Sequence, residues 1–168
     1  MSYCLNPSCP SPPNPPTANY CQSCGTPLVL VSQNKQTYRG LKCLGQGGFG
    51  RTFLAEDSEQ QPCVIKQLFP GGVDAYRFQQ EAERLEELGH HPQIPRLIDQ
   101  ITPPSDVLDT PYYLIQEYIA GETLEAELER QGPMTESGGR SLLLDLLPVL
   151  DFIHHQRVIH RDIKPQNI

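Results

Sequence analysis

The sequence predicts an α+β fold in which strands come first and helices last, preceded by a small cysteine-rich module. Three observations support this prediction. The first 37 residues contain two close pairs of cysteines and a single charged residue, Lys35. From Tyr38 to Tyr118, short apolar runs are typical of strands. From Thr135 to His155, a long apolar run is typical of a helix.

The overall composition narrows the class of protein. The chain has 168 residues, of which 38% are hydrophobic and 20% charged, enough for one ordinary domain or for a small domain beside part of a larger one. The net charge of −7 argues against nonspecific binding to nucleic acid or to an anionic membrane surface as the main role. No secretory signal is visible, and the longest apolar stretch, 142–153, is interrupted by Asp145, Pro148 and Asp151. We therefore expect no membrane segment in this part of the chain and a cytoplasmic location, where the cysteines stay reduced.

The N-terminal segment differs in composition from the rest of the chain. Seven of the seventeen prolines and four of the six cysteines fall within residues 1–27. A nearly uncharged, proline-rich segment cannot build an ordinary hydrophobic core, so something other than apolar burial must hold it together. The composition therefore predicts a module over residues 1–27, a linker over residues 28–37 and a larger domain over residues 38–168.

The cysteines of this module are spaced as metal ligands. Cys4 and Cys9 form one pair, Cys21 and Cys24 form a second, and Gly25 allows a tight backbone turn after it. A tetrahedral Zn²⁺ takes four such ligands at about 2.3 Å, and its binding can contribute roughly 10–16 kcal/mol to folding. The pattern resembles a zinc ribbon, although four residues rather than two separate the first pair. A redox-active thiol switch, an iron site and chance are the alternatives.

Residues 38–168 contain five predicted strands and two predicted helices. The strands are expected at Tyr38–Leu44, Arg51–Asp57, Gln61–Leu68, Ile94–Gln100 and Tyr112–Tyr118. The helices are expected at Asp74–Leu88, whose apolar residues share one face, and at Thr135–His155, where Pro148 would kink or break the helix. Cys43 and Cys63 fall within strands, where a small buried hydrophobe is the favoured interpretation.

A glycine-rich sequence lies between the first two strands. Residues 44–50, Leu-Gly-Gln-Gly-Gly-Phe-Gly, contain the spacing G-x-G-x-x-G, which by itself also occurs in dinucleotide-binding folds. In those folds a helix follows the glycines, whereas here Arg51–Asp57 continues as a strand. A hairpin of this kind can lay backbone N–H groups over phosphates. Lys66 follows in an otherwise apolar strand, where a buried lysine needs a partner such as a phosphate or a carboxylate.

The end of the chain carries the most specific motif. Residues 160–167, His-Arg-Asp-Ile-Lys-Pro-Gln-Asn, match the kinase catalytic loop H-R-D-x-x-x-x-N at every fixed position. Together with the glycine-rich loop and Lys66, in this order, they make residues 38–168 resemble a eukaryotic-type (Hanks-type) serine/threonine protein kinase. The four-cysteine leader joined to such a domain resembles a group of bacterial serine/threonine kinases with an N-terminal Cys motif.

This resemblance implies a kinase N-lobe, made of an antiparallel sheet and one helix, followed by the start of a helical C-lobe. The chain stops at Ile168, one residue after Asn167. The D-F-G aspartate, the activation loop and the A-P-E segment of such kinases would come after this point. We therefore expect the chain to be the front part of a kinase and to be inactive alone.

The resemblance also assigns roles in nucleotide binding. Lys66 would hold the α- and β-phosphates and pair with a glutamate of the following helix, for which Glu81 fits better than Glu83. Glu117 and Ile119 would meet the adenine edge through their backbone groups. The complete set of expected nucleotide-binding residues is Leu44, Gly45, Gln46, Gly47, Gly48, Phe49, Gly50, Thr52, Val64, Lys66, Glu81, Glu117 and Ile119.

Three residues of the catalytic loop would act in phosphoryl transfer. Asp162 would accept the proton of the substrate hydroxyl or orient that hydroxyl, Lys164 would neutralise charge on the γ-phosphoryl group, and Asn167 would hold one Mg²⁺. The expected activity is transfer of the γ-phosphoryl group of ATP to serine or threonine hydroxyls of protein substrates. ATP and Mg²⁺ would be the cofactors, with Zn²⁺ as a structural ion, and no nucleic acid partner is expected. The alternative is a pseudokinase or a nucleotide-binding scaffold.

Overall fold

The computed structural model describes residues 1–48, 50–69, 75–103 and 110–168 and divides the chain into two compact units. The first unit comprises Met1–His90 and Ile94–Tyr118. The second comprises His91–Gln93 and Ile119–Ile168. The strands belong to the first unit and two of the three helices to the second, so the expected α+β fold is confirmed.

The first unit begins with a small hairpin, in which β1 (Ser2–Tyr3) and β2 (Pro13–Asn14) pair antiparallel. Cys4 and Cys21 are buried beside it. Gly25 adopts a φ of 72°, a conformation that L side chains rarely take, and its N–H donates to the carbonyl of Cys21 at 2.9 Å. This tight turn brings the second cysteine pair back towards the first.

A six-stranded antiparallel sheet forms the main body of the first unit. Its strands are β3 (Val29–Val31), β4 (Thr37–Gly47), β5 (Gly50–Asp57), β6 (Pro62–Leu68), β7 (Leu97–Ile101) and β8 (Tyr112–Glu117). In space they follow the order β3-β4-β5-β6-β8-β7. The five strands expected from the sequence are all present, close to their expected bounds.

Two segments of the sheet differ from expectation. Residues 28–37, expected as a linker, contribute β3, whose three apolar residues pair antiparallel with the start of β4. β7 begins at Leu97 rather than at Ile94, because Pro95 has no N–H to donate and restricts the residue before it. The division of the chain into a module, a linker and a larger domain stays a prediction.

The sheet has two faces, because successive residues of a strand point in opposite directions. On one face, which we call the module face, buried residues of four strands surround a residue of the N-terminal module. The buried residues are Tyr38, Phe53, Ala55, Cys63, Ile65, Tyr113 and Ile115, with Leu5 of the module packed among them. The apolar core of the first unit therefore includes part of the N-terminal segment.

The other face, which we call the helix face, packs against α1 (Ala75–Leu88). Phe78 and Ala82 of the helix are buried against Leu68 and Leu114 of the sheet. The expected helix is confirmed, and Asp74, expected as its first residue, lies outside the described residues. The spacing of four between Phe78 and Ala82 turns one side of the helix to the sheet and leaves the charged side exposed.

The second unit is helical. α2 (Leu124–Gln131) and α3 (Glu136–His155) each begin after a threonine whose side-chain oxygen accepts a backbone N–H of the first turn, Thr123 for α2 and Thr135 for α3. A short 3₁₀ helix, Pro165–Asn167, lies near the end of the chain. The sequence predicted α3 but not α2.

α3 continues through Pro148, which the sequence analysis expected to kink or break it. Its side chains Leu143, Leu144 and Leu147 are exposed. Among the described residues, no helix combines the length and the apolar character that crossing a membrane requires.

Candidate functional site

The glycine-rich sequence forms the turn of a hairpin between β4 and β5. Gly47 and Gly50 are opposite each other at the end of this hairpin, and Phe49 lies outside the described residues. A Cβ added at Gly45, Gly47 or Gly48 would meet no atom within 4 Å. The space beside the backbone at these positions is therefore open, as the close approach of a phosphate to a glycine-rich loop requires.

Gly50 differs from the other glycines of the loop. A Cβ added there would lie 2.0 Å from the carbonyl oxygen of Gln67 in β6. Glycine at this position is thus required by the close approach of two strands, a reason separate from any contact with phosphates.

Lys66 on β6 and Glu81 on α1 form an ion pair across the helix face. Thr52 and Leu114 are the strand neighbours of Lys66, so the ammonium projects from the same face as these residues. The side chain of Glu83 instead accepts a hydrogen bond from Gln79 at 3.2 Å on the exposed side of α1. Of the two glutamates considered from the sequence, Glu81 is the one paired with Lys66.

The other expected nucleotide-binding residues of the first unit lie at defined places on the sheet. Val64, where the kinase pattern has a smaller alanine, is on the helix face opposite Gln116 and two residues before Lys66. Leu44 and Gln46 belong to the last part of β4, where their side chains are exposed. Glu117 ends β8, and its backbone N–H donates to the carbonyl of Arg96 at 2.9 Å.

The expected catalytic residues lie together in the second unit. The Asp162 carboxylate, through Oδ2, accepts hydrogen bonds from Lys164 Nζ and from Asn167 Nδ2, each at 2.9 Å. Asn167 Nδ2 also donates to the Asp162 carbonyl at 2.8 Å. Ile119, expected at the adenine edge, is an exposed residue of the same unit.

Local backbone structure brings these three side chains together. Arg161 has a φ of 63°, in the left-handed region that costs a non-glycine residue roughly 1–2 kcal/mol. Asn167 closes the 3₁₀ helix by donating its N–H to the Lys164 carbonyl at 2.9 Å. The N–H of Leu124, at the start of α2, donates to the carbonyl of Ile168 at 2.8 Å, so α2 helps to hold this loop in place.

The electrostatics of the loop favour an ionised Asp162. The hydrogen bond from Lys164, followed by that from Asn167, holds the pKa of the Asp162 carboxyl below its ordinary value of 3.8. An ionised carboxylate can accept a proton or orient a hydroxyl. Because the amide nitrogen of Asn167 donates to Asp162, its amide oxygen is the atom suited to a cation.

The four cysteines of the N-terminal module converge on one point. Their sulfur atoms all lie within 4.8 Å of one another, and the Cys4–Cys24 and Cys9–Cys21 sulfur pairs are each 3.6 Å apart. Ligands at 2.3 Å in tetrahedral geometry are about 3.8 Å apart, whereas sulfurs of a disulfide are about 2.05 Å apart. The donor set and its spacing therefore fit a structural Zn²⁺.

Two asparagines hydrogen-bond to this cluster, a feature that the sequence analysis missed. Asn14 Nδ2 donates to Cys21 Sγ at 3.4 Å and Asn6 Nδ2 to Cys24 Sγ at 3.6 Å. Although burial raises the pKa of the Cys21 thiol, the bond from Asn14 and backbone hydrogen bonds lower it to about 6. The available signal was an amide side chain within the first cysteine pair, Asn6, and another between the two pairs, Asn14, since thiolate ligands commonly accept such bonds.

Comparison with known proteins agrees with this arrangement. Serine/threonine-protein kinase B of Synechocystis sp. is 43% identical over 100% of this chain and 29% of the relative. PknA of Nostoc sp. is 47% identical over 78% of this chain and 24% of the relative. Serine/threonine-protein kinase C of Synechocystis sp. is 44% identical over 85% of this chain and 27% of the relative. The chain thus spans about a quarter to three tenths of the length of these relatives.

The match to kinase B includes the N-terminal segment with its four cysteines, because it extends over the whole chain. The family described as protein kinase domain matches residues 38–168, which carry the glycine-rich hairpin, the Lys66–Glu81 pair and the Asp162 loop. This chain belongs to the protein kinase family.

Proposed function

We propose that the protein transfers the γ-phosphoryl group of ATP to serine or threonine hydroxyls of protein substrates, with Mg²⁺ as cofactor. The ion pair between Lys66 and Glu81 is the observation that supports this proposal most. It fixes an ammonium group on the helix face, on the strand next to the glycine-rich hairpin, in a position suited to the phosphates of a nucleotide.

In this proposal each part of the first unit has a separate task. The glycine-rich hairpin offers backbone N–H groups to the phosphates, and Lys66 supplies positive charge to them. Glu81 keeps the ammonium in position, since a lysine with a fixed partner loses its conformational freedom before the nucleotide binds. Backbone groups of Glu117 and Ile119 would bind the adenine edge, as in the kinases that the chain resembles.

The second unit supplies the groups for the transfer itself. Asp162 orients the hydroxyl of the serine or threonine and accepts its proton, Lys164 stabilises negative charge on the γ-phosphoryl group, and Asn167 holds one Mg²⁺ through its amide oxygen. The typical turnover of such kinases is about 1–100 s⁻¹. The substrates are proteins that carry an accessible serine or threonine, and the proposed location is the cytoplasm, where ATP is available.

The proposal is tested by phosphoryl transfer in the full-length protein. Purified protein is incubated with Mg²⁺, labelled ATP and casein as a general acceptor, and incorporation into serine and threonine is measured. Asp162→Ala should abolish transfer while the affinity for Mg²⁺-ATP stays close to that of the unaltered protein. Transfer that persists in Asp162→Ala would contradict the role of this residue. Binding of Mg²⁺-ATP without any transfer by the unaltered protein would identify a pseudokinase.

We also propose that the four cysteines bind one structural Zn²⁺. The mutual spacing of the sulfurs and the hydrogen bonds from Asn6 and Asn14 support this proposal. The ion would stabilise a segment that has little apolar material of its own.

Elemental analysis of the purified protein should find about one zinc per chain. The double variant Cys21→Ser, Cys24→Ser should lose it, whereas Cys43→Ser should keep it, since Cys43 lies outside the cluster. Protein purified under reducing conditions that carries no metal and four reactive thiols in the module would overturn the proposal.

A further inference from the structure

A buried polar cluster joins the N-terminal module to the sheet. Gln67 on β6 is 0% exposed and Arg51 on β5 is 7% exposed, and the two are direct neighbours across the strands. Arg51 donates through Nε and Nη2 to Gln67 Oε1, at 2.9 and 2.7 Å. More than nine-tenths of the surface of each residue is shielded from water. Each polar atom of the guanidinium and of the amide therefore needs a hydrogen-bond partner within the protein.

The carbonyl oxygen of Leu5 is a shared partner of these two side chains. It accepts from Arg51 Nη2 at 2.6 Å and from Gln67 Nε2 at 2.7 Å. Gln67 Nε2 also lies 3.3 Å from the hydroxyl of Tyr113. We call Leu5, Arg51 and Gln67 the Leu5 junction. Without the module, two buried donors would lose an acceptor, at a cost of about 1–3 kcal/mol for each.

Further contacts fix the position of the module beside this junction. Arg39 Nη1 donates to Ser2 Oγ at 2.8 Å and to the Ala18 carbonyl at 2.7 Å. At Gly40, an added Cβ would lie 3.2 Å from the Tyr3 carbonyl oxygen, so the module reaches close to the backbone of β4. These bonds come from two parts of the module and therefore restrain its rotation as well as its distance from the sheet.

The two side chains of the junction are adjacent in sequence to residues proposed to bind phosphates. Arg51 follows Gly50, the last glycine of the hairpin, and Gln67 follows Lys66. Lys66 and Gln67 point to opposite faces of β6, so a bond to Gln67 on the module face restrains the same backbone that carries Lys66 on the helix face. On the other side of the junction, Leu5 directly follows Cys4, one of the proposed zinc ligands.

We propose that Arg51 and Gln67 are positioning residues, through which the N-terminal module holds the glycine-rich hairpin and the Lys66 strand in register for nucleotide binding. This inference rests on the proposed function. The module then acts as a fixed part of the nucleotide-binding unit, and its effect reaches Lys66 through the strand backbone. Small displacements of a binding group are costly, because affinity depends on the fit of all phosphate contacts at once.

The test compares the affinity for Mg²⁺-ATP in three variants of the full-length protein, measured by isothermal titration calorimetry. Gln67→Met removes the donor to Leu5 and the acceptor for Arg51 at nearly unchanged volume. Gln67→Glu keeps an acceptor for Arg51 but has no donor for the Leu5 carbonyl. This second variant provides the test if Gln67→Met folds poorly. Ile115→Ala is the control, since it removes apolar packing from the same buried face and destabilises the sheet but removes none of the hydrogen bonds of the junction.

The expected result is a dissociation constant for Mg²⁺-ATP raised on the order of tenfold in Gln67→Met, equivalent to about 1.4 kcal/mol. Gln67→Glu should show a smaller increase, and Ile115→Ala none at temperatures where it stays folded. In kinetic assays, the KM for ATP should rise in both Gln67 variants while kcat changes little. Amide hydrogen exchange of residues 2–5 should also become faster in both Gln67 variants. This measurement needs no nucleotide and reports directly that the N-terminal module is held less firmly.

Two other results would overturn the inference in different ways. If the unaltered protein binds Mg²⁺-ATP and the Gln67 variants bind it equally well, the junction has only a structural role and the proposed function stands. If the unaltered protein does not bind Mg²⁺-ATP at all, the proposed function fails and the inference fails with it.

Discussion

Glu81 on α1 accepts a hydrogen bond from Lys66 on β6, although the two are fifteen positions apart in the sequence. Both side chains are about one-third exposed, so the pair is open to water on one side. An ion pair in such a place adds little to stability, because solvent screens it. The pair lies on the helix face beside the strand β5 of the glycine-rich hairpin, so the proposed role is to position the ammonium towards a ligand.

Lys66→Met should lower kcat/KM for ATP by a factor on the order of 10²–10³, the usual loss when a single charge-stabilising donor is removed. Glu81→Gln should lower it less, since the amide oxygen can still accept from Lys66. Steady-state kinetics of the full-length protein provide the measurement. Glu83→Gln is the matched control and should leave the kinetics unchanged. An equal loss in Glu81→Gln and Glu83→Gln would contradict the assignment of Glu81.

The glycines of the hairpin should separate into two groups by their effect on stability. Gly50→Ala should destabilise the first unit by about 1–3 kcal/mol or more, because the added Cβ would lie 2.0 Å from the Gln67 carbonyl. The Cβ added by Gly47→Ala would meet no atom within 4 Å. This substitution should therefore change the free energy of unfolding by less than about 1 kcal/mol. Thermal unfolding without nucleotide measures the stability of both variants. Equal decreases in Tm would show that the close approach of β5 to β6 at Gly50 does not affect stability.

The pKa of Asp162 should depend on Lys164. In the present structure the ammonium lowers the carboxyl pKa below 3.8, so Asp162 stays ionised throughout the neutral range and takes up a proton only in more acidic solution. Lys164→Met removes the positive charge, and the carboxyl pKa should rise. Carbon NMR of labelled aspartate side chains, titrated with acid, reports this directly. A titration midpoint for Asp162 that is the same in both proteins would show that the contact is absent in solution.

The two cysteines outside the four-cysteine cluster should differ in reactivity. Burial, together with smaller contributions from Asp57 and Glu56, raises the pKa of the Cys63 thiol to about 11, so at pH 8 only about one molecule in a thousand carries the reactive thiolate there. Cys43 is partly exposed. Iodoacetamide at pH 8 should label Cys43 within minutes and Cys63 only after denaturation, as peptide mass spectrometry would show. Equal labelling rates in the native protein would contradict the burial of Cys63.

The sequence predicted the parts of the fold that follow a regular apolar pattern. The short apolar runs of β5 and β6 and the apolar face that Phe78 and Ala82 share on α1 are signals of this kind, and the structure confirms these elements. α2 escaped prediction because most of its residues are charged or polar and none is buried. α2 is held mainly by its N-cap and by a contact at its first turn. Its sequence therefore shows little of the apolar periodicity from which a helix is predicted.

The motifs of the candidate site could be identified from the sequence, but its supporting contacts could not. Spacing and order located Lys66 and Asp162, because these motifs are short and local. The Leu5 junction depends on the register that sets Arg51 beside Gln67, and on a single leucine in a proline-rich segment folding back onto the sheet. Such contacts are long-range and follow no period, so only the three-dimensional structure reveals them.

The insertion of Leu5 among the residues of the module face limits where this chain can be shortened at its N-terminus. The stretch that matches the protein kinase family begins at residue 38, whereas the apolar core of the first unit includes Leu5, which precedes it. A version trimmed to residue 38 would lose β3 and uncover Phe53, Ile65 and Ile115 together with the unpaired edge of β4. Exposed apolar surface beside an open strand is a template for aggregation. The boundary of the family match at residue 38 is therefore a poor place to cut this chain.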